Sequence, residues 1–289
     1  MSEKYTIKEL FLQQYKHNSN EFPYYNDWLK APYTWLKGQF YMIFSAILVF
    51  LLLKTNIKPN TITIIYIFSG ILCMILLSIP KEETIIIALV IAFSKGILDW
   101  SDGHLARITG QTSQGGHILD IYGGMINELA FYTGLGFYIT AHTGRLDFYL
   151  LIPLYPLMMA SKLIPFSKSV LFDKISSKSV IENVVNDYEI SAKSSSENSA
   201  ILKLKTLLSE TLNGRSRSID LVCLIILLEL LYPINISWII FLILLAKHAF
   251  IFLGSVWMFC KGDWAENQIK NKILIINKNL SGVDRINIK

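Results

Sequence analysis

The sequence predicts an all-α integral membrane protein with six core transmembrane helices and an N-terminal amphipathic, interfacial helical segment. Of the 289 residues, 52% are hydrophobic and only 17% are charged, and the mean hydropathy is +0.42. Such a composition is not typical of soluble domains. Several apolar stretches also reach the roughly 17–25 residues that a helix needs to cross a bilayer. Together these observations indicate a multi-pass membrane protein.

Six apolar stretches are long enough to be counted as core spans. They cover residues 61–79, 84–101, 117–140, 147–165, 219–233 and 236–259. A further run, 40–53, is too short to be counted with them, so an interfacial position is open to it. The sequence contains no inverted repeat and no pair of broken helices, which are typical of transporters.

Residues 1–57 form the predicted N-terminal interfacial region. Its first part mixes lysines with the aromatic residues Tyr15, Phe22, Tyr24, Tyr25, Trp28, Tyr33 and Trp35. That mixture suits an amphipathic helix at the level of the lipid headgroups. Pro59 and Asn60 then start the first core span, since proline is favoured at the first helical position. We expect a membrane domain over 58–260 and a cytoplasmic tail over 261–289.

The distribution of basic residues sets the predicted orientation. The polar segment 166–218 carries eight lysines and arginines, and the tail 261–289 carries six. The loops on the opposite side hold only Lys81 and Arg145. By the positive-inside rule, both termini and the segment 102–116 face the cytoplasm. The formal charge of +5 therefore indicates orientation and attraction to anionic membrane lipids, not nucleic-acid binding.

The second and third spans are joined by a segment rich in acidic and small residues. It reads D-W-S-D-G-H-L-A-R-I-T-G-Q-T-S-Q-G-G-H-I-L-D from Asp99 to Asp120. Asp99 and Asp102 share one helix face because they are three residues apart. Gly103 and Ala106 continue that side with almost no side chain, which lets a ligand or another helix approach closely. Asp120 would come from the next helix, and three carboxylates suit Mg²⁺ or Mn²⁺.

This segment resembles the signature D-x2-D-G-x2-A-R-x8-G-x3-D-x3-D of the CDP-alcohol phosphatidyltransferase family. Arg107 and Gly116 occupy two further fixed positions, and the fourth aspartate of the signature is replaced by Gly124. The resemblance implies that Asp99, Asp102 and Asp120 hold the metal and the CDP-linked substrate. It also implies substrate contacts at Gly103, Ala106, Arg107 and Gly116.

The same resemblance implies a reaction. An acceptor hydroxyl attacks the β-phosphorus of a CDP-linked donor, and CMP is released. The donor is either CDP-diacylglycerol, with a polar acceptor, or a CDP-linked head group, with a lipid acceptor. In the family the fourth aspartate is taken to deprotonate the acceptor, and position 124 cannot do so here. The catalytic base is therefore not identified by the signature.

Glu128 is the nearest acidic residue beyond Gly124. It lies four residues further, hence about 6 Å deeper along a helix. A carboxylate at that depth is costly unless it is paired or functional. Lys247 on the last span has a similar predicted depth, so a buried Glu128–Lys247 pair and a displaced base are both open.

Residues 214–218, G-R-S-R-S, precede the fifth span. They resemble the G-K-x-x-T element with which some relatives grip a phosphorylated acceptor. Arg215 could bind phosphate there, because a guanidinium matches phosphate geometry. The alternative is that these arginines only anchor the helix on its positive side.

The leading functional hypothesis is a metal-dependent transferase of phospholipid or related glycolipid biosynthesis. Its partners would be a CDP-linked lipid or alcohol donor, a polar or lipid acceptor hydroxyl and membrane lipids, with a homodimer left open beside a monomer. The second hypothesis rests on Gly124. It is a catalytically impaired member of the family that binds CDP-lipid or metal as a regulatory or structural membrane protein.

Overall fold

A computed structural model describes residues 5–21, 32–144, 147–160 and 215–260. Every regular element within these ranges is a helix. The helices are α1 (Ile7–Glu21), α2 (Pro32–Leu52), α3 (Pro59–Leu77), α4 (Glu82–Thr109), α5 (Gln114–Thr143), α6 (Asp147–Leu151), α7 (Leu154–Ala160), α8 (Arg215–Leu231) and α9 (Ser237–Cys260). The all-helical class predicted from the sequence is therefore confirmed for the described residues.

Four of these helices are long and apolar enough to cross a membrane. They lie at Tyr33–Leu52, Pro59–Leu77, Glu82–Thr109 and Ser237–Gly254. The six predicted core spans are thus not reproduced as six apolar helices in the described part of the chain. The run 40–53 belongs to the first of the four, because α2 extends back to Pro32.

The other predicted spans differ from the apolar helices in length or polarity. Helix α5 is 30 residues long but carries Asp120 and Glu128 among glycines, threonines and tyrosines. The predicted span 147–165 is broken between α6 and α7 at Pro153, whose missing N–H and fixed φ interrupt a helix. Helix α8 has 17 residues.

The chain divides into two compact units, Met1–Ile152 with Thr211–Phe241 and Pro153–Glu210 with Leu242–Lys289. In the first unit α3 packs against α4 and α5, while α2 packs against α1 and α4. A buried apolar cluster joins the first four helices through Leu10, Ala46, Val49, Ile62 and Leu105. In the second unit the Tyr155 hydroxyl lies 3.3 Å from His248 Nε2.

Glu229 in α8 caps the start of α9. Its carboxylate accepts hydrogen bonds from the backbone N–H groups of Ile236 and Ser237, each at 2.6 Å. The Tyr138 hydroxyl donates to the other carboxylate oxygen at 3.0 Å. Because the first N–H groups of a helix have no intrahelical partner and favour negative charge, this acidic residue has a structural role.

Gly134 lets α5 and α3 approach closely. A Cβ at this position would lie 2.9 Å from Met74 Cα and 3.1 Å from the Met74 carbonyl oxygen. These are backbone atoms, so the two helices would have to separate. We expect Gly134→Ala to lower the free energy of unfolding by about 1–3 kcal/mol, as overpacking does.

Denaturant unfolding of the purified protein in detergent tests this prediction. Gly254→Ala is the matched control, because a Cβ at Gly254 meets no atom within 4 Å. Equal stability of the two variants would contradict a tight α3–α5 crossing at Gly134.

Candidate active site

The turn between α4 and α5 brings the acidic residues of the signature together. Helix α4 ends at Gly110, whose φ of +68° is left-handed and is readily adopted by glycine. Helix α5 then begins after Ser113, whose Oγ accepts a hydrogen bond from the Gly116 N–H at 3.0 Å. Asp99 lies eleven residues before Gly110 and Asp120 ten after it. The reversal therefore returns Asp120 to the depth of Asp99.

Hydroxyl groups of α3 organise the α4 carboxylates. The Thr63 hydroxyl donates to Asp102 Oδ2 at 2.5 Å, and the next backbone N–H donates to Asp102 Oδ1 at 2.5 Å. Tyr66 hydrogen-bonds Asp99. Asp99, Asp102 and Asp120 also interact electrostatically with one another. Asp120 thus shares one cavity wall with Asp99 and another with Asp102. The sequence analysis missed the α3 partners of the two α4 carboxylates.

The donor set has the chemistry of a site for a hard cation. All three groups are carboxylates, which Mg²⁺ and Mn²⁺ prefer, and like charges held close together are unfavourable without a counterion. Within the described ranges, however, no three His, Cys, Asp or Glu side chains are grouped so that they could hold one ion. The fit therefore rests on the donor type and not on a formed three-ligand cluster.

A cavity of about 230 Å³ opens over the signature, and we call it the signature cavity. Its walls include the predicted residues Asp102, Gly103, Ala106, Arg107, Gly116 and Asp120, together with Asn60, Thr63 and His117. Arg107 Nη2 donates a hydrogen bond of 2.8 Å to Oε1 of Gln14. Gln14 lies in α1 and is buried, so the N-terminal helix positions the arginine of the signature.

A second cavity, of about 290 Å³, lies deeper, and we call it the inner cavity. Asp99, Asp120, Gly124 and Glu128 line one part of it, and Tyr33, Thr34, Lys37 and Tyr41 of α2 line another. Asp120 is a wall residue of both cavities. The two cavities therefore share Asp120 as a common wall residue.

Glu128 lies in the inner cavity, where the sequence analysis placed a candidate base. It is 3% exposed and follows Gly124 by one turn of α5. Lys95 is buried in α4 and interacts electrostatically with Glu128 and Asp99. The sequence analysis missed Lys95, although a lysine four residues before Asp99 in an apolar helix is itself a signal of function.

The roles that the sequence analysis gave to Lys247 and Arg215 both stay predictions. Lys247 belongs to the second compact unit, and its pairing with Glu128 stays a prediction. Arg215 is the first residue of α8, and its side chain lies outside the described residues, as do the basic segments that set the predicted orientation. Helix α8 also carries Asp220, a buried acidic residue that the sequence analysis missed.

One comparison with known proteins finds a match over part of the chain. Residues 56–162 match the family model described as CDP-alcohol phosphatidyltransferase. No curated protein and no solved structure matches the chain. The matched region contains the acidic residues of both cavities, whereas α1, α2 and α8 lie outside it.

Proposed function

We propose that this chain, whose residues 56–162 match the CDP-alcohol phosphatidyltransferase family, transfers a phosphoryl-alcohol group from a CDP-linked donor to an acceptor hydroxyl. CMP is the second product, and the reaction serves phospholipid or related glycolipid synthesis. The observation that carries the proposal is the position of Asp120, which lines both cavities. A donor in one cavity and an acceptor in the other would meet at this residue.

The signature cavity is the donor side of the proposed site. Arg107 offers guanidinium donors to the diphosphate, a pairing that is charge-assisted and geometrically matched. Gly103, Ala106 and Gly116 present almost no side chain there, so a nucleotide can approach the backbone. Outside this cavity, Arg215 is proposed from the resemblance alone as a contact to the phosphate of a phosphorylated acceptor.

Asp99, Asp102 and Asp120 are the residues that would hold a divalent cation. When bound, Mg²⁺ or Mn²⁺ neutralises charge that develops on phosphate oxygens. The hydrogen bonds from Thr63 and Tyr66 would fix the orientation of two of these carboxylates.

The inner cavity is the acceptor side of the proposed site. Glu128 takes the proton of the acceptor hydroxyl, and the acceptor oxygen then forms a bond to the β-phosphorus. The bond between that phosphorus and the oxygen bridging to CMP breaks, and CMP leaves with the electron pair. Lys95, which interacts with Glu128 and Asp99, offsets the negative charge of the two carboxylates.

The second candidate function is a family member that binds CDP-lipid or metal without turnover. It is favoured by Gly124, which leaves the inner cavity without a carboxylate at the family position. In either case we propose that the site and both termini face the cytoplasm, as the basic residues predict.

Assay of the purified protein with Mg²⁺ or Mn²⁺ separates the two functions. CDP-diacylglycerol with polar acceptors and CDP-linked head groups with diacylglycerol are both supplied. We expect acceptor-dependent CMP release with one donor class. Donor binding without CMP release from either class would overturn the transferase proposal in favour of the binding protein.

The hydrogen bond between Gln14 and Arg107 gives a prediction about donor affinity. We expect Gln14→Ala to raise the KM for the CDP-linked donor about 10- to 100-fold, since a hydrogen bond to a charged group contributes about 1.5–3 kcal/mol. The kcat should change little. Gln13→Ala is the matched control, because the neighbouring glutamine is exposed. Equal KM values for the two variants would show that α1 does not position Arg107.

A further inference from the structure

Helix α2 supplies a polar wall to the inner cavity. Tyr33, Thr34, Lys37 and Tyr41 all line this space. Tyr33, Lys37 and Tyr41 are four residues apart and Thr34 is three before Lys37, so they share one face of the helix. Helix α2 lies outside the region that matches the family model. Its contribution to the site is therefore a property of this chain that the family match does not describe.

The α2 wall is fixed against α4 next to the acidic residues. A Cβ at Gly96 would lie 2.7 Å from the hydroxyl oxygen of Tyr41, so the tyrosine ring occupies the space that glycine leaves. The Tyr41 hydroxyl donates to the Phe93 carbonyl at 3.2 Å. Its ring contacts Trp100 edge-on at 5.7 Å. Lys37, one turn before Tyr41, thereby lines the same cavity as the α4–α5 carboxylates.

Lys37 is oriented by an acidic residue of α8. Its ammonium group pairs with Asp220 Oδ2, and the Tyr33 hydroxyl donates to the same oxygen at 2.5 Å. The Lys37 side chain is 10% exposed and that of Asp220 is 3% exposed. The ammonium also lies 5.1 Å from the Tyr41 ring centroid. Such a surrounding restricts a side chain that is otherwise flexible.

Resting on the proposed function, we infer that Lys37, positioned by Asp220, binds an anionic group of the acceptor in the inner cavity. The acceptor is then a small polar alcohol that carries a phosphate or carboxylate, and the donor carries the lipid. Lys37 lines the cavity wall, and its positive charge is the feature that would attract such a group.

The size and lining of the cavity support a small charged acceptor over a diacylglycerol. Its volume of about 290 Å³ corresponds to about ten times a water molecule's share of the liquid volume. Ammonium groups come from two helices, Lys37 of α2 and Lys95 of α4, and carboxylates line the same space. An acylglycerol would exclude water from these ionic groups and offer the ammonium groups no further charged partner, which is costly. An anionic alcohol would supply such partners.

Three matched acceptors test the inference: glycerol phosphate, glycerate and glycerol. We expect wild-type kcat/KM to be at least tenfold higher for one or both anionic alcohols than for glycerol. Preference for one anion identifies the group as phosphate or carboxylate. Lys37→Met should raise the KM for the anionic acceptor at least tenfold, so that the preference for this acceptor over glycerol is lost, while the KM for the donor changes little. Lys37→Arg should recover part of the loss, and Lys81→Met is the control at an exposed lysine.

Failure of this inference is distinguishable from failure of the proposed function. If the wild type releases CMP with glycerol or diacylglycerol as well as with the anionic alcohols, the transferase stands and the inference is overturned. If Lys37→Met lowers thermal stability and all rates equally, the pair with Asp220 is only structural. If no acceptor supports CMP release, thermal stabilisation by glycerol phosphate decides. A shift that glycerol does not produce and Lys37→Met removes supports the anion site, and no such shift overturns it.

Discussion

Asp120→Asn is expected to reduce CMP release about 10²–10³-fold or more, the range seen when a group that stabilises developing charge is removed. Asparagine has nearly the same size but no charge, so it leaves the shape of both cavities intact. It removes the carboxylate that the two cavities share. Initial rates of CMP release in detergent, with Mg²⁺ or Mn²⁺ in excess, measure the effect.

The control for this variant is Asp147→Asn. Asp147 is exposed at the start of α6 and belongs to neither cavity. It should leave the rate within about twofold of wild type, within the ±0.5 kcal/mol typical of surface substitutions. Circular dichroism and the thermal midpoint establish that both variants are folded. A folded Asp120→Asn protein with the wild-type rate would remove Asp120 from the reaction.

Glu128→Gln is expected to lower kcat by about 10²–10⁴-fold, the contribution typical of a positioned general base. Glutamine preserves the volume and one carbonyl oxygen but cannot accept the acceptor proton. The donor KM should change little, because Glu128 lines only the inner cavity. Steady-state rates at saturating donor measure the loss.

The family position offers a rescue experiment for Glu128. Gly124 lines the same cavity one turn away. Gly124→Asp combined with Glu128→Gln should therefore have a kcat at least tenfold higher than that of Glu128→Gln alone. If Glu128→Gln and Lys247→Met instead leave kcat unchanged and lower the thermal midpoint equally, the two residues form the structural pair considered from the sequence. The displaced base would then be wrong.

The sequence predicted the helical membrane class and the acidic cluster for different physical reasons. Apolar runs of sufficient length have few alternatives to a membrane helix, so α3 and α9 were found within about two residues at each end. The start of α4 was found equally closely, but the helix continues eight residues beyond the predicted end at 101. Spacing predicted that Asp99 and Asp102 share a face of one helix and that Asp120 comes from the next helix. The structure places Asp120 in a cavity wall with each of them. Resemblance to a signature supplied the interpretation.

Polar residues inside the predicted boundaries account for much that the sequence analysis missed. Lys37 and Gln39 interrupt the apolar pattern of α2, so only the run 40–53 stood out and the true start at Pro32 did not. In the fold, Lys37 lines a cavity. The low hydropathy of lysine does not predict such a position inside the protein. The roles of Thr63 and Tyr66 depend on contacts between α3 and α4. The hydrophobic periodicity of the sequence does not specify which residues of two helices meet.

The most direct test of the account is the stoichiometry of CMP and phosphodiester product. Wild-type protein receives a CDP-linked donor and an acceptor, and CMP and the new phosphodiester are quantified from the same reactions. Transfer through the two cavities predicts one product molecule per CMP, with both lost together in Asp120→Asn. CMP formed without a phosphodiester product, or product formed equally by the Asp120→Asn protein, would contradict the proposed transferase.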